Sequence, residues 1–125
     1  YLRVEDIAAT NEKPAVLANA SLKKVIVEIT EKRLGVTAVV DDSGKLIGII
    51  TDGDLRRMLE KTTDISNLLA SDILSPKPIT ISSQALAVEA LDLLRKNDIS
   101  QLVVAESGQY AGILHLHDLI REGIV

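Results

Sequence analysis

The sequence contains no cysteine, phenylalanine or tryptophan, and tyrosine occurs only at Tyr1 and Tyr110. Without cysteine the chain can form no disulfide and can use no thiolate as a nucleophile or metal ligand, which fits the reducing conditions of a cytoplasm. Hydrophobic residues nevertheless make up 46% of the chain. We therefore expect a cytoplasmic protein whose core is built from valine, isoleucine, leucine and alanine.

The chain also lacks an excess of basic charge and any long apolar run. Its formal net charge is -4, whereas nucleic-acid-binding surfaces are normally basic. No apolar run reaches the roughly 18 residues of a membrane-spanning helix, and no signal-peptide pattern opens the chain. These features argue against a nucleic-acid or membrane partner. Because the chain starts at Tyr1 rather than at a methionine, we expect a fragment of a longer protein.

The most informative stretch is residues 48–57, in which an apolar strand runs into Thr51-Asp52-Gly53-Asp54 and then a helix. Thr-x-x-Asp is typical of a helix start, where the hydroxyl and the carboxylate accept hydrogen bonds from free backbone N–H groups. The same junction is suited to a ligand, because these N–H groups and the helix dipole point at one spot. In isolation the motif favours the helix start.

The same arrangement returns later in the chain at a fixed distance. Asp54 corresponds to Asp118 (118 − 54 = 64), and Gly48 corresponds to Gly112 (112 − 48 = 64). Each half reads as a β-α-β-β-α unit that is too small to bury its apolar faces alone. We expect a mixed α/β (α+β) fold in which residues 1–61 and 62–125 pack about a pseudo-two-fold axis, with the two junctions in equivalent clefts between the halves.

Two such units, each ending in Gly-apolar-apolar-x-x-x-Asp, resemble a tandem pair of CBS domains, named for cystathionine β-synthase. The resemblance covers nearly the whole chain and implies a module that binds an adenosyl or related nucleotide between its repeats and regulates an attached enzyme or channel. It also implies that Thr51 and Asp54 hold ribose hydroxyls. The second repeat departs from the pattern, because His115 stands where a hydroxyl residue is usual, although Asp118 is retained.

A narrower resemblance is to the C-terminal CBS pair of bacterial arabinose-5-phosphate isomerases, carried by residues 51–57, 86–91 and 112–119. Those enzymes make the precursor of Kdo, the acidic sugar of lipopolysaccharide, and their catalytic part is an N-terminal sugar isomerase (SIS) domain. The resemblance implies that this chain is a regulatory fragment with no catalytic residues of its own, attached to a SIS domain in the full-length protein.

The candidate ligand-binding residues are polar or charged side chains near the two junctions: Thr37, Thr51, Asp52, Asp54, Arg56, Arg57, Lys77, Ser100, His115, His117 and Asp118. The aspartates are suited to a vicinal diol, since a carboxylate accepts through two oxygens. The helix dipole disfavours cations in the first turns of a helix, so the two arginines there do not serve helix stability and are suited to binding a nearby anion. The alternative is that they form a solvated face. The two histidines lack the further ligands of a metal site, so no metal is predicted.

The ligand predicted from the pathway resemblance is the activated sugar CMP-Kdo, as an end-product signal, and an adenine nucleotide is the runner-up. No cofactor is required. We also expect a homodimer that uses the apolar residues of the two terminal helices: Leu55, Met58, Leu59, Leu119 and Ile120. The alternative to a ligand sensor is a structural dimerisation module whose clefts stay empty.

Overall fold

The computed structural model describes the whole chain, residues 1–125. It contains six helices and seven strands, in the order α1 (Val4–Ala8), β1 (Ala15–Leu17), α2 (Leu22–Lys32), β2 (Val36–Val40), β3 (Leu46–Thr51), α3 (Asp52–Lys61), α4 (Ala70–Ile73), β4 (Ser75–Pro76), β5 (Thr80–Ile81), α5 (Ala87–Asn97), β6 (Gln101–Glu106), β7 (Gln109–His115) and α6 (Leu116–Arg121). None of these helices has the length and apolar character that crossing a bilayer requires. The predicted mixed α/β class is confirmed.

The chain forms two compact units. The first unit is Pro14–Pro78, and the second unit combines Tyr1–Lys13 with Ile79–Val125. These units differ from the predicted sequence halves, 1–61 and 62–125, because helix α1 joins the later strands and helix α4 joins the earlier ones. The boundaries of the halves stay a prediction about the sequence repeat. In the compact units, α1 and α4, the helices with which the two halves begin, are exchanged.

A four-stranded sheet with the order β1-β2-β3-β4 forms the first unit. Strand β1 runs parallel to β2, and the pairs β2–β3 and β3–β4 are antiparallel. Helix α2 covers this sheet with Leu22, Val25 and Ile29, which lie on one face of the helix. The helix ends at Arg33, which adopts the left-handed conformation with φ 61°.

The second unit has a three-stranded sheet with the order β5-β6-β7, in which β5 is parallel to β6 and β7 is antiparallel to it. Helix α5 packs on it through Ala87, Ala90, Leu91 and Leu94. Helix α1 contributes the buried side chains of Val4 and Ile7 to the same core. Backbone bonds from Val4 N–H to the Ala85 carbonyl and from Glu5 N–H to the Ser83 carbonyl, both 2.9 Å, attach this helix to the segment before α5.

Four of the helices begin with the same hydrogen bond, which we call the aspartate cap. In each, an aspartate in the third helical position accepts the backbone N–H of the residue that precedes the helix. The pairs are Asp6 with Arg3 at 3.0 Å, Asp54 with Thr51 at 2.9 Å, Asp72 with Leu69 at 2.8 Å, and Asp118 with His115 at 2.7 Å. The cap satisfies an N–H that a helix start otherwise leaves unpaired and places negative charge at the positive end of the dipole.

The surface predicted for dimerisation divides between core and solvent. Met58 and Leu119 are buried in the two cores, so they cannot form an interface in this fold. Leu55 is half-buried against the core of the first unit. Only Leu59 and Ile120 of the predicted set are well exposed, at 53% and 50%. The helical spacing identified apolar positions correctly but could not separate those that face inwards.

Gly48 in β3 is required by the close approach of β4, and its replacement by alanine provides a test of this packing. A Cβ atom at Gly48 would lie 2.6 Å from the Ser75 carbonyl oxygen and 2.9 Å from Leu74 Cδ1. We expect Gly48→Ala to lower the free energy of unfolding by about 1–3 kcal/mol, the usual cost of overpacking. Chemical denaturation followed by circular dichroism measures this change.

Gly53→Ala is the matched control, because the nearest atom to its Cβ would be the end of the flexible Arg57 side chain, at 3.3 Å, rather than backbone. Gly53 lies inside α3, where alanine is favoured over glycine by up to about 1 kcal/mol. We expect this variant to be as stable as the parent or more stable. Equal losses of stability in the two variants would contradict the packing of β4 against Gly48.

Candidate functional site

The first candidate site is the β3–α3 junction of the first unit. Thr51 ends the strand and precedes the helix; its hydroxyl accepts the Asp54 N–H at 3.1 Å while Asp54 Oδ2 accepts the Thr51 N–H at 2.9 Å. The helix-start interpretation of this motif therefore describes its geometry in the free chain. Asp54 Oδ1 also accepts a 2.7 Å bond from Arg57, which explains why a cation is tolerated near the start of this helix.

Ser75, in strand β4, is a further neighbour of Asp54 that the sequence analysis did not identify. Its Oγ lies 3.3 Å from one carboxylate oxygen and 3.4 Å from the other. Hydroxyl-to-oxygen hydrogen bonds usually measure about 2.7–2.8 Å, so both contacts are long and weak. Asp54 is thus firmly bound to the backbone of its own helix start but only loosely bound to the strand across from it.

A groove of about 330 Å³ opens beside Asp54 within the first unit. It is lined by Asp54, Arg57, Met58, Lys61, Thr62, Leu68, Asp72 and Ile73. Arg57 and Lys61 are four residues apart on α3, which places their cationic groups on the same face of the helix. Lys61 is a residue that the sequence analysis missed, although its spacing from Arg57 would have found it. The groove joins two carboxylates, Asp54 and Asp72, with two cations and an apolar floor.

The second candidate site is the β7–α6 junction of the second unit. His115 replaces the threonine, and its Nδ1 accepts the His117 N–H at 3.0 Å. Asp118 Oδ2 accepts the His115 N–H at 2.7 Å and a side-chain N–H of Asn11 at 2.7 Å, while its Oδ1 accepts from Arg121. Asn11 also donates to the Ile113 carbonyl at 3.0 Å. Asp118 is 2% exposed, so its carboxylate is enclosed by protein donors.

The partners of the two aspartates follow the 64-residue repeat. Arg57 corresponds to Arg121 (121 − 57 = 64), and Asn11 corresponds to Ser75 (75 − 11 = 64). Each aspartate therefore has the same three kinds of neighbour: the residue before its helix, an arginine one turn on, and a polar residue from the segment that follows a short helix. Asn11, Ser75 and Arg121 were not predicted from the sequence, although adding 64 to the number of Arg57 gives Arg121 (57 + 64 = 121).

The remaining predicted ligand residues lie in several environments. Thr37 is fully buried in β2, and its hydroxyl donates to the Ala38 carbonyl at 3.1 Å. Asp52 and Arg56 are exposed on α3, and Arg56 does not line the groove. Lys77 is exposed with φ 56°. Ser100 is exposed, but its carbonyl accepts the Leu116 N–H at 2.8 Å at the second junction. As ligand residues, all eleven stay predictions.

The electrostatics of the second junction favour a neutral imidazole. The rings of His115 and His117 lie 4.4 Å apart. Burial lowers the pKa of His115 below 6.5, and the neighbouring His117 and Arg121 lower it further, while Asp118 opposes them. Only the unprotonated Nδ1 can accept the His117 N–H, so this hydrogen bond and the lowered pKa of His115 both favour the neutral imidazole. Nowhere in the chain do three or more His, Asp or Glu side chains form a group that could hold a metal ion.

His115→Thr is expected to remove a pH dependence from the stability of the second unit. In the parent the folded pKa of His115 is below its unfolded value near 6.5. The unfolded chain therefore binds more protons as pH falls below this value, and stability falls with it. A threonine, the residue of the first repeat, keeps the cap without titrating. Melting temperatures of both proteins at pH 7.5 and pH 5 measure the difference.

The parent should lose more stability than His115→Thr on acidification, and His117→Thr, which keeps His115 and the burial that is the first cause of its lowered pKa, should retain most of the parent's loss. Equal losses in the parent and in His115→Thr would show that the imidazole cap is not responsible.

Comparison with known proteins agrees with this architecture. The family model of the CBS domain matches residues 4–61 and 70–124. The chain belongs to the CBS-domain family. The arabinose 5-phosphate isomerase KdsD of Escherichia coli K12 is 42% identical over 125 residues, which are 99% of this chain and 38% of that protein. The enzyme of the same name from Pseudomonas aeruginosa PAO1 is 40% identical over 126 residues, covering 99% of this chain and 39% of its own length. The chain thus spans about two fifths of these curated relatives, and both predicted resemblances are confirmed.

Solved structures show the same fold at low sequence identity. The complex of CBSX2 with AMP has a TM-score of 0.80 at 21% identity and covers 99% of this chain and 97% of its own. The CBS domain protein PAE2072 of Pyrobaculum aerophilum, also complexed with AMP, has a TM-score of 0.82 at 20% identity, with coverage of 94% and 90%. The CBS domain NE2398 has a TM-score of 0.85 at 18% identity and covers 98% of both chains.

Proposed function

We propose that this CBS pair is a regulatory module that binds a nucleotide or nucleotide sugar at the Thr51–Asp54 junction. The observation that carries the proposal is the groove beside Asp54, where a partly exposed carboxylate adjoins Arg57 and Lys61. CBS-domain proteins of the same fold have been solved with AMP. A ribose, a phosphate and a base match the carboxylate, the cations and the apolar floor of this groove.

The ribose diol is assigned to Asp54. Its Oδ2 keeps the Thr51 N–H that holds the helix start, while Oδ1 and the remaining lone pairs accept the ribose hydroxyls. The long contacts from Ser75, at 3.3 and 3.4 Å, are the ones that a ligand hydroxyl would replace. Hydrogen bonds to a charged group contribute about 1.5–3 kcal/mol, so losing the diol contact should produce a measurable loss of affinity.

The phosphate is assigned to Arg57 and Lys61, since a guanidinium fork and an ammonium both bind phosphate oxygens. The base would lie on the apolar side chains of Met58, Leu68 and Ile73, since no aromatic residue lines the groove. The groove volume, about 330 Å³, is at the lower end of the range for small-molecule sites, about 300–1,000 Å³. CMP-Kdo and adenine nucleotides both supply the diol and phosphate, and CMP-Kdo adds a carboxylate.

For the full-length protein we propose arabinose-5-phosphate isomerase activity, supplied by an attached SIS domain in the cytoplasm and controlled by this module. The support is the 40–42% identity to enzymes of that name. An end product such as CMP-Kdo would then act as a feedback signal for the Kdo pathway. The CBS pair itself binds the signal and carries out no catalysis.

Asp54→Asn tests the diol assignment. The amide oxygen can still accept the Thr51 N–H, so the helix start persists, but the charge that holds the hydroxyls is lost. We expect affinity to fall by about 1.5–3 kcal/mol, measured by calorimetry with CMP-Kdo, CMP, AMP and ATP. Circular dichroism of the free variant checks that the fold is retained.

Arg57→Ala and Arg56→Ala form a matched pair for the phosphate assignment, because only Arg57 lines the groove. We expect the first to weaken nucleotide binding about tenfold and the second to change it less than about twofold.

If no nucleotide binds the parent below millimolar concentration, or if Asp54→Asn binds as well as the parent, the sensor function is wrong. The structural dimerisation module is then the function that remains.

Self-association is a second proposal, resting on the exposed Leu59 and Ile120 in the predicted interface. We expect Leu59→Glu to raise the monomer fraction in sedimentation experiments, since a buried charge without a partner opposes association. Val88→Glu is the control, because Val88 is equally exposed at 53% but lies outside the predicted set. A monomeric parent at high micromolar concentration would refute the homodimer.

A further inference from the structure

We infer that the two junctions differ in function: the Asp54 junction accepts a ligand, whereas Asn11 closes the Asp118 junction and makes it structural. The inference rests on the proposed function of the Asp54 junction and limits binding to one ligand per chain. Its basis is the contrast between Ser75 and Asn11, which occupy the same position of the repeat (75 − 11 = 64).

At the closed junction, the carboxylate of Asp118 is fully engaged. Three protein groups donate to it, from Asn11, His115 and Arg121, and its side chain is only 3% exposed. The Asn11 bond, at 2.7 Å, has the length of a strong charge-assisted hydrogen bond. A ribose hydroxyl would have to displace one of these donors before it reached the carboxylate.

Displacing Asn11 has a further cost, because its amide also donates to the Ile113 carbonyl at 3.0 Å. Ile113 is fully buried, so moving the amide would leave a buried carbonyl without this donor. An unsatisfied buried polar group is costly. The Asn11 side chain thus binds both the Asp118 carboxylate and strand β7, which precedes helix α6. These two bonds oppose opening of the junction.

At the open junction the contact equivalent to that of Asn11 is weak. Ser75 reaches Asp54 only at 3.3 and 3.4 Å, and a hydroxyl can rotate towards solvent or towards a ligand. The Asp54 side chain is 12% exposed and borders a groove. A ligand hydroxyl can therefore replace Ser75 without breaking a short bond or stranding a buried group.

The residue before each helix adds to the contrast. Thr51 presents a small hydroxyl, whereas His115 presents an imidazole whose Nδ1 already accepts the His117 N–H and whose ring lies 4.4 Å from the His117 ring. Two rings thus stand where the first junction has one methyl and one hydroxyl. Both differences at the second junction, asparagine in place of serine and histidine in place of threonine, reduce access to the aspartate.

Reciprocal substitutions at the repeat position test this inference. Ser75→Asn should bring an amide donor to Asp54 and weaken the binding of AMP and CMP about tenfold or more, the loss of roughly 1.4 kcal/mol. Asn11→Ser should leave the affinity of the first junction within about twofold of the parent. Titration calorimetry gives affinity and stoichiometry, and melting temperatures establish that both variants fold.

A stoichiometry of one per chain with loss of binding in Ser75→Asn supports the inference. Two ligands per parent chain, unchanged binding in Ser75→Asn, or a loss of binding in Asn11→Ser as large as that in Ser75→Asn would overturn it. If neither nucleotide binds the folded parent, the proposed function fails. The closure of the Asp118 junction is then tested without ligand, by hydrogen exchange. Amide hydrogen exchange should be at least about tenfold slower at the His115 N–H than at the Thr51 N–H, and equal rates would overturn the closure.

Discussion

The aspartate cap is the interaction on which both units depend. Helices α1, α4 and α6 have five, four and six residues, far fewer than an isolated helix needs in water. Each is held because an aspartate in its third position binds the backbone N–H at its start. The cap holds the start of each helix, and the apolar side chains of these helices then pack into the cores: Val4, Ile7 and Leu119 into the core of the second unit, and Ala70 into that of the first.

The same cap supports two different chemistries because a carboxylate has more acceptor positions than the cap requires. One oxygen holds the backbone, and the other is left for the surroundings. Around Asp118 the surroundings are short bonds from protein donors; around Asp54 they are an arginine near the surface and a distant serine hydroxyl. A helix start and a candidate ligand site are therefore one geometry with different neighbours, rather than competing interpretations of the motif.

The repeat and two of the four capping aspartates, Asp54 and Asp118, could be predicted because they depend on local pattern: a glycine at a fixed distance in each half, and an acid three residues after a hydroxyl or imidazole. The exchange of α1 and α4 between the units could not, since the sequence does not state which sheet a short amphipathic helix covers. For the same reason helical spacing could not show that Met58 and Leu119 are core residues while Leu59 and Ile120 are exposed.

The partners of the aspartates were missed for a different physical reason. Ser75 and Asn11 come from segments distant in sequence, and the two extra residues after α1 hide their equivalence, since Asp6 and Asp72 are 66 apart while Asn11 and Ser75 are 64 apart (72 − 6 = 66; 75 − 11 = 64).

Arg57 connects the free structure with the proposed ligand-bound state. In the free chain Arg57 donates a 2.7 Å hydrogen bond to Asp54 and neutralises its charge. In the proposed complex the guanidinium turns to the phosphate, and a ribose hydroxyl replaces it beside Asp54. Binding then exchanges one charge-assisted contact for another and leaves no buried charge unpaired, so a ligand can reorganise the start of α3 at small electrostatic cost.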